Sequence, residues 1–244
     1  MRIVRLFPVI FLLAFASCKK ESSSGDIDPL LAKVKTYTED YTTDATHIHA
    51  TFNLSYDNQG RVVSMISTAS QGDRFEYSYD GSTATMELFN SNVVGIHEIV
   101  FLNSNSLPDS TFQYNDTQDT STEKYIYNAS KQLVKLIEYD YSNNVSIISN
   151  VSNYTYDAEG DMIRKTESYS ETTYEYYPDL LNTLILNFDF SPGTGKHLVK
   201  KTTYSDGYDT VVLEHSYTFD STNRLRTETV VADSGEVVIR TYTY

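Results

Sequence analysis

The segment LSYDNQGRVVSMIS, Leu54 to Ser67, returns along the chain in altered form, and a chain that repeats one hairpin-like unit has few folds open to it. YIYNASKQLVKLIEY stands at Tyr125 to Tyr139, YTYDAEGDMIRKTES at Tyr154 to Ser168, and YTFDSTNRLRTETV at Tyr217 to Val230. The unit starts with an aromatic (Tyr56, Tyr127, Tyr156, Phe219), followed at once by Asp57, Asn128, Asp157 or Asp220. Three residues later come Gly60, Lys131, Gly160 and Asn223, and two beyond those the aliphatic Val62, Leu133, Met162 and Leu225. An Asp or Asn side chain accepts from the backbone two residues on and so starts a turn. Gly or Asn takes the left-handed conformation that closes a short hairpin loop. The flanking aromatic and aliphatic then form a cross-strand pair. Asp57, Gly60, Asp157, Gly160 and Asp220 are therefore turn residues. The exchange of Asp for Asn at this place preserves turn geometry and would not preserve an acid or base. Lys131 is the misfit, because a left-handed Lys carries a steric cost; that copy uses another turn or the alignment slips.

Weaker copies fill the gaps, from Phe75, Ile99, Tyr174 and Thr202, and Tyr56, Tyr79 and Leu102 follow one another at intervals of 23 residues. A unit of that length holds two strands and two short connections. The chain has 21 tyrosines, 11 phenylalanines and no tryptophan, a bias that suits strands. No stretch carries a sustained helical period with caps. The expected fold is an all-β antiparallel meander of repeated hairpins, with roughly 16 to 20 strands. Twist and exposed edges forbid one flat sheet of that width. The sheet should curl into a barrel, a half-barrel or a rolled slab.

The first residues, MRIVRLFPVIFLLAFASCKKESSSGD, read as an export signal: basic Arg2 and Arg5, a short apolar run from Leu6 to Ala16, then Cys18. The run falls well short of the roughly 20 residues a membrane-spanning helix needs. Cys18 is the only cysteine, so no intrachain disulfide can form. Residues 1–17 form the signal, 18–29 a small, polar tether, and 30–244 one β-repeat domain. Without Arg2 and Arg5 the chain holds 17 basic residues against 33 acidic ones. So acidic a surface repels nucleic acid and anionic head groups, and neither is an expected partner.

The segment ending at Cys18 resembles a bacterial lipoprotein signal, with Phe15 where an aliphatic residue is usual, and CKKESSSGD resembles the Bacteroidetes type. That likeness implies acylation of Cys18 (palmitate-type chains) and an outer-membrane, surface-exposed setting. YDNQGRVVSM and YDAEGDMIRK resemble the tyrosine-aspartate repeats of Rhs-type surface and toxin-encapsulating proteins. A toxin cage needs far more units and is not expected. The stretch from Gly195 to Tyr244 is similar to a domain of unknown function in Bacteroidetes lipoproteins with a porin-like fold. The resemblance implies a barrel-like single domain and a cell-envelope location, and no activity.

Other motifs offer little chemistry. SPGTGKH, Ser191 to His197, has Phe190 where a phosphate loop needs its first Gly, and His197 where it needs Ser or Thr. His47 and His49 share a strand face but lack a defined third ligand. Glu171 and Glu175 alternate on one strand, and no serine sits in a nucleophile-elbow pattern. DST at Asp109 and Asp220 and DTV at Asp209 resemble O-glycosylation acceptors and equally suit turns. Rows of tyrosine, Tyr174 and Tyr176 above all, supply flat apolar surfaces with a polar tip that suit sugar rings or a protein. The expectation is a non-enzymatic, lipid-anchored envelope protein that needs no cofactor or metal and binds or scaffolds a glycan or protein partner. The alternatives are a carbohydrate-active enzyme with a carboxylate pair and an outer-membrane barrel, against which the charged run SYSETTYEYY argues.

Overall fold

A computed structural model describes residues 33–42, 47–69, 72–115, 120–142, 145–182 and 195–244. The signal, Cys18 and the tether lie outside the described residues. Sixteen antiparallel strands follow one another in chain order. The first eight are β1 (Thr36–Thr42), β2 (His47–Tyr56), β3 (Val62–Ser67), β4 (Arg74–Asp80), β5 (Thr83–Asn90), β6 (Val93–Leu102), β7 (Pro108–Asn115) and β8 (Thr120–Tyr127). The rest are β9 (Leu133–Ser142), β10 (Val145–Tyr156), β11 (Met162–Thr166), β12 (Glu171–Leu181), β13 (His197–Ser205), β14 (Thr210–Phe219), β15 (Leu225–Ala232) and β16 (Val237–Thr243). β16 pairs with β1, so the meander closes into a barrel. Each strand's backbone runs beside its two neighbours, Tyr177 of β12 reaches past β13 to donate to the His215 carbonyl of β14 at 2.9 Å, and among the described residues no element crosses the lumen.

The repeated unit builds one rim of this barrel. Gly60 N–H donates to the Asp57 carbonyl at 3.1 Å, and Asp57 Oδ1 accepts from the N–H groups of Gln59 and Arg61, both at 2.9 Å. Asn128, Asp157 and Asp220 repeat this pattern, and Asn103 adds a fifth copy. Lys131 occupies the left-handed position with φ 63°, as do Asn223 at 62° and Ser106 at 60°. The turn is thus the same in all five, and the alignment at Lys131 needs no slip. The aromatic and the aliphatic are direct partners, Tyr56 with Val62, Tyr127 with Leu133, Tyr156 with Met162 and Phe219 with Leu225. Each pair sits beside a register shift of one residue, a bulge that bends the strand where the wall must curve.

The tyrosines also join one hairpin to the next. Tyr79 donates its hydroxyl to the Val62 carbonyl at 2.9 Å, Tyr156 to Leu133 at 2.9 Å, Tyr176 to Met162 at 2.7 Å, and Tyr217 to Val199 at 2.7 Å. Each peg reaches back to the aliphatic that opens the preceding hairpin's second strand or its equivalent. The arginine after the turn completes the joint: Arg61 pairs with Asp57 at 2.7 Å and lies over the Tyr79 ring at 4.0 Å. Arg224 does the same between Asp220 and Tyr244.

The seam uses a divided copy of this joint. Tyr244 pegs to the Leu225 carbonyl at 2.9 Å, while Tyr56 pegs to Val34, whose neighbour Lys33 lies over the Tyr56 ring. Lys33 and Val34 therefore stand where a repeat has its arginine and aliphatic, ahead of β1, and the matching aromatic is supplied by the end of β16.

Register separates the wall into two faces. Leu54, Tyr77, Val100, Tyr125, Ser152, Tyr154, Val230 and Tyr242 are buried and share one face, which in a closed wall is the inner one. The outer face is polar from β11 round the seam to β2, while β6 to β9 carry Ile99, Phe101, Phe112, Tyr114, Ile137 and Tyr139 outward. Thr51, Thr38, Thr241, Thr227 and Thr218 are consecutive partners across β2, β1, β16, β15 and β14, a threonine row that crosses the seam. Arg164 with Glu171 and Lys201 with Glu175 place charge on the same outer face.

Candidate functional site in the barrel lumen

Inward positions carry an excess of acidic groups. Along the strands they carry Glu39, Glu98, Glu123, Glu138, Asp140 and Glu228 against Lys165 and Arg240, among the described residues. Outward strand positions are nearly balanced, so the lumen is more acidic than the wall's exterior.

At the seam these groups are paired. Arg240 Nε donates to Glu39 at 2.9 Å and Arg240 Nη1 to Glu228 at 3.1 Å, which ties β16 to β1 on one side and β15 on the other. Tyr37 donates to Glu39 as well. His215 Nδ1 lies 3.0 Å from Glu228, and its Nε2 lies 3.1 Å from the Thr202 hydroxyl. Burial works to raise the Glu228 carboxyl, but His215 and Arg240 outweigh it and hold the group below the usual range. Thr202, His215 and Glu228 follow the order of a nucleophile, base and orienting acid. The hydroxyl is a threonine's, however, and the surrounding backbone N–H groups belong to strands whose ladders use them. An acyl-transfer site also needs free N–H donors for its oxyanion.

A second set lies on β10 and β11. Glu167 accepts from Lys165 at 2.8 Å, Ser170 at 2.9 Å, Asn150 at 3.1 Å and Ser152 at 3.1 Å. Burial pushes this carboxyl up, yet Lys165, Ser170 and Asn150 outweigh it and hold it at about 2. Further round, Glu123 and Glu138 face each other directly across β8 and β9. Like charges so placed repel. Neutral donors ease the cost, Tyr125 and Thr111 for Glu123 and Asn150 at 3.2 Å for Glu138. Beside them a cavity of about 310 Å³ is lined by Ile96, Gln113, Ser121, Asp140 and Tyr141, among others. The lumen thus offers carboxylates, amides, hydroxyls and aromatic rings to an entering molecule.

Tyr174 and Tyr176 both face inward, partly buried. Tyr174 packs on the cluster of Tyr125, Leu133, Tyr154 and Met162, and the Tyr176 hydroxyl is taken by Met162. Asp57, Gly60, Asp157, Gly160 and Asp220 stand at turns, where their side chains or φ angles close the loop. His49 pairs with Asp40 at 2.5 Å and His97 with Glu87 at 3.0 Å on separate outer ladders, β1 with β2 and β5 with β6, so the structure does not bring them together. The His47 side chain lies outside what the structure describes, as do Ser191 to Thr194 of SPGTGKH. His197 begins β13, so a strand stands where a phosphate loop needs a helix.

One constellation has no local signal in the sequence. At the repeat rim, Glu159, Asp161 and His197 lie within metal-ligand distance of one another. Asp161 is already satisfied: Oδ1 accepts from the Lys196 N–H at 2.5 Å and the His197 N–H at 2.9 Å, and Oδ2 lies 2.6 Å from His197 Nδ1. Burial works to raise the Asp161 carboxyl, but these bonds outweigh it and hold it down. With both residues nearly buried, the group is a latch that fastens the start of β13 to the β10–β11 turn. A Cβ at Gly195 would collide with that carboxylate, which explains a glycine there.

No family model matches the chain, and no curated protein matches it. Among solved structures it is similar to a porin-like protein from Bacteroides uniformis, at 12% identity and a TM-score of 0.64, over 86% of this chain and 96% of that one. A porin-like protein from Bacteroides vulgatus is similar at 14% identity and a TM-score of 0.59, over 87% and 98% of the two chains. The shared feature is the fold, a porin-like all-β barrel.

Proposed function

We propose that this is a non-enzymatic binding module of the cell envelope, held at the membrane by acyl chains on Cys18, with the lumen as its ligand surface. The observation that carries the reading is the division of the wall. A lipid-embedded barrel needs an outward apolar band roughly 25 Å tall. Here the outward apolar side chains are confined to β6 to β9, and the rest of the wall presents the threonine row and charged pairs, so no such band runs round the described barrel, while most of the tyrosines face inward. Such a barrel favours water on both sides, so attachment falls to the N-terminus. Sixteen strands are enough to leave an aqueous interior. Its aromatic faces and polar acceptors suit a polyhydroxylated ligand such as a glycan, which an envelope position would supply.

Two measurements test this. A glycan array probed with residues 22–244, made without detergent, should show binding that free sugar competes away; failure to remain in solution without detergent would refute the outer-wall argument. Palmitate labelling of cells expressing the full chain should be lost in Cys18→Ala, and label retained by the variant would refute the anchor.

A further inference from the structure

The wall is not equally tall all round. β10 pairs with β9 from Val145 to Asn153, but its other neighbour, β11, reaches only from Asn153 to Tyr156. The β11–β12 connection turns back at Glu167 to Ser170, and Glu167 covers the edge at Asn150 and Ser152. Beyond it, the β9–β10 hairpin stands above the rim with one edge of Val145 to Ser149 unpaired among the described residues. β9 is covered on its far side by β8 up to Thr120 and Tyr141, so the opening belongs to β10 alone.

This edge has one of the usual guards, a bulge at Ser149 that ends its regular part at Ile148, and lacks the others. Val-Ser-Ile-Ile-Ser contains no charge and no proline, in a chain of net charge −14. Ile147 is 54% exposed, Ile148 56% and Tyr141 on the adjoining strand 43%. Ile147 and Ile148 point to opposite faces, so apolar surface flanks the free backbone on both sides. Unpaired strand N–H and C=O groups alternate along a line, a pattern that another extended backbone complements.

We infer that the Val145–Ser149 edge of β10 is a docking surface for the same edge of a second copy, which adds antiparallel across a two-fold axis. Self-pairing suits this edge. Identical strands placed antiparallel match donors to acceptors, the isologous contact closes on itself, and the uncharged segment is where two strongly acidic molecules can approach with little repulsion. The contact is small, well under the area of a stable interface, so the association is weak and reversible.

The test is disulfide trapping in the full chain. Ser146→Cys and Ser149→Cys variants are oxidised in intact cells and run without reductant, with Tyr208→Cys as control, since Tyr208 is exposed on the β13–β14 turn away from the edge. A trapped dimer is expected for at least one edge cysteine, several-fold above the control, and Ile148→Lys added to that variant should reduce it at least threefold. No dimer from either edge position, a yield equal to that of Tyr208→Cys, or a yield unaffected by Ile148→Lys would overturn the proposal.

Discussion

Replacing Arg240 by methionine tests what holds the seam closed. The substitution keeps the length and apolar stem of the side chain and removes both charged bonds, to Glu39 and Glu228. The Glu228 side chain is only 14% exposed, while those of Glu39 and Arg240 are 38% and 34% exposed. Breaking a buried pair costs about 3–5 kcal/mol. An exposed pair is worth less than about 1 kcal/mol. The clamp lies between these limits, so the loss at neutral pH should be about 2–3 kcal/mol. For a domain of this size that lowers Tm by about 5–10 °C.

The pH dependence gives the sharper reading. In the parent, Glu228 has a depressed folded pKa, so its contribution is present above the unfolded carboxyl value and fades as pH falls. In Arg240→Met the buried carboxylate has lost its cation, its folded pKa rises, and the penalty lifts as it takes a proton. The gap between parent and variant should therefore narrow from pH 7 to pH 4. Urea unfolding followed by circular dichroism at both pH values measures it, with Arg164→Met on the outer wall as comparator. A loss no greater than that of Arg164→Met, or a gap unchanged at pH 4, would refute the clamp.

Lys131→Gly should stabilise the protein by about 1 kcal/mol, because it removes a left-handed lysine from the β8–β9 turn; a lower urea midpoint would count against the turn assignment. Asp157→Ala should cost about 1–2 kcal/mol through the N–H groups it leaves unpaired, whereas Asp157→Asn, which copies Asn128, should be nearly neutral. Tyr156→Phe should cost about 1–2 kcal/mol, since the Leu133 carbonyl loses its donor in a buried place. Burial holds Tyr56 and Tyr154 at about 12, and nearby carboxylate repulsion adds to burial for Tyr154. A raised folded pKa gives stability that is complete below the free phenol value near 10 and is lost as pH climbs toward 12. Tyrosinate absorbance should accordingly rise together with alkaline unfolding, and a smooth titration of all tyrosines near pH 10 would contradict it.

The hairpins were legible because their determinants lie close together: Tyr56, Asp57, Gly60 and Val62 fall within seven residues and each constrains the next. The bulges were not, since the extra residue beside each aromatic–aliphatic pair reads only as a slip in phase. Closure was hidden for a different reason. The joint at the seam is divided between Lys33 with Val34 and Tyr244, so a scan along the chain meets half a unit at either end. The lumenal clamp joins Glu39 to Arg240 across 201 residues, and the latch joins Asp161 to His197 across 36. No periodicity links such pairs. The inward orientation of Tyr174 and Tyr176 followed from alternation, but which face was inward became known only once the wall closed.

Because the tyrosine pegs fasten hairpins to those beside them, among the described residues no packing across the lumen ties the wall to one strand number. Duplication of one unit would add two strands together with the joints that hold them, and the interior would widen by a step. Loss of a unit would narrow it in the same way. A lineage built on this unit can thus vary the bore of its barrels, and with it the size of what they admit, by copying or deleting a short stretch of gene.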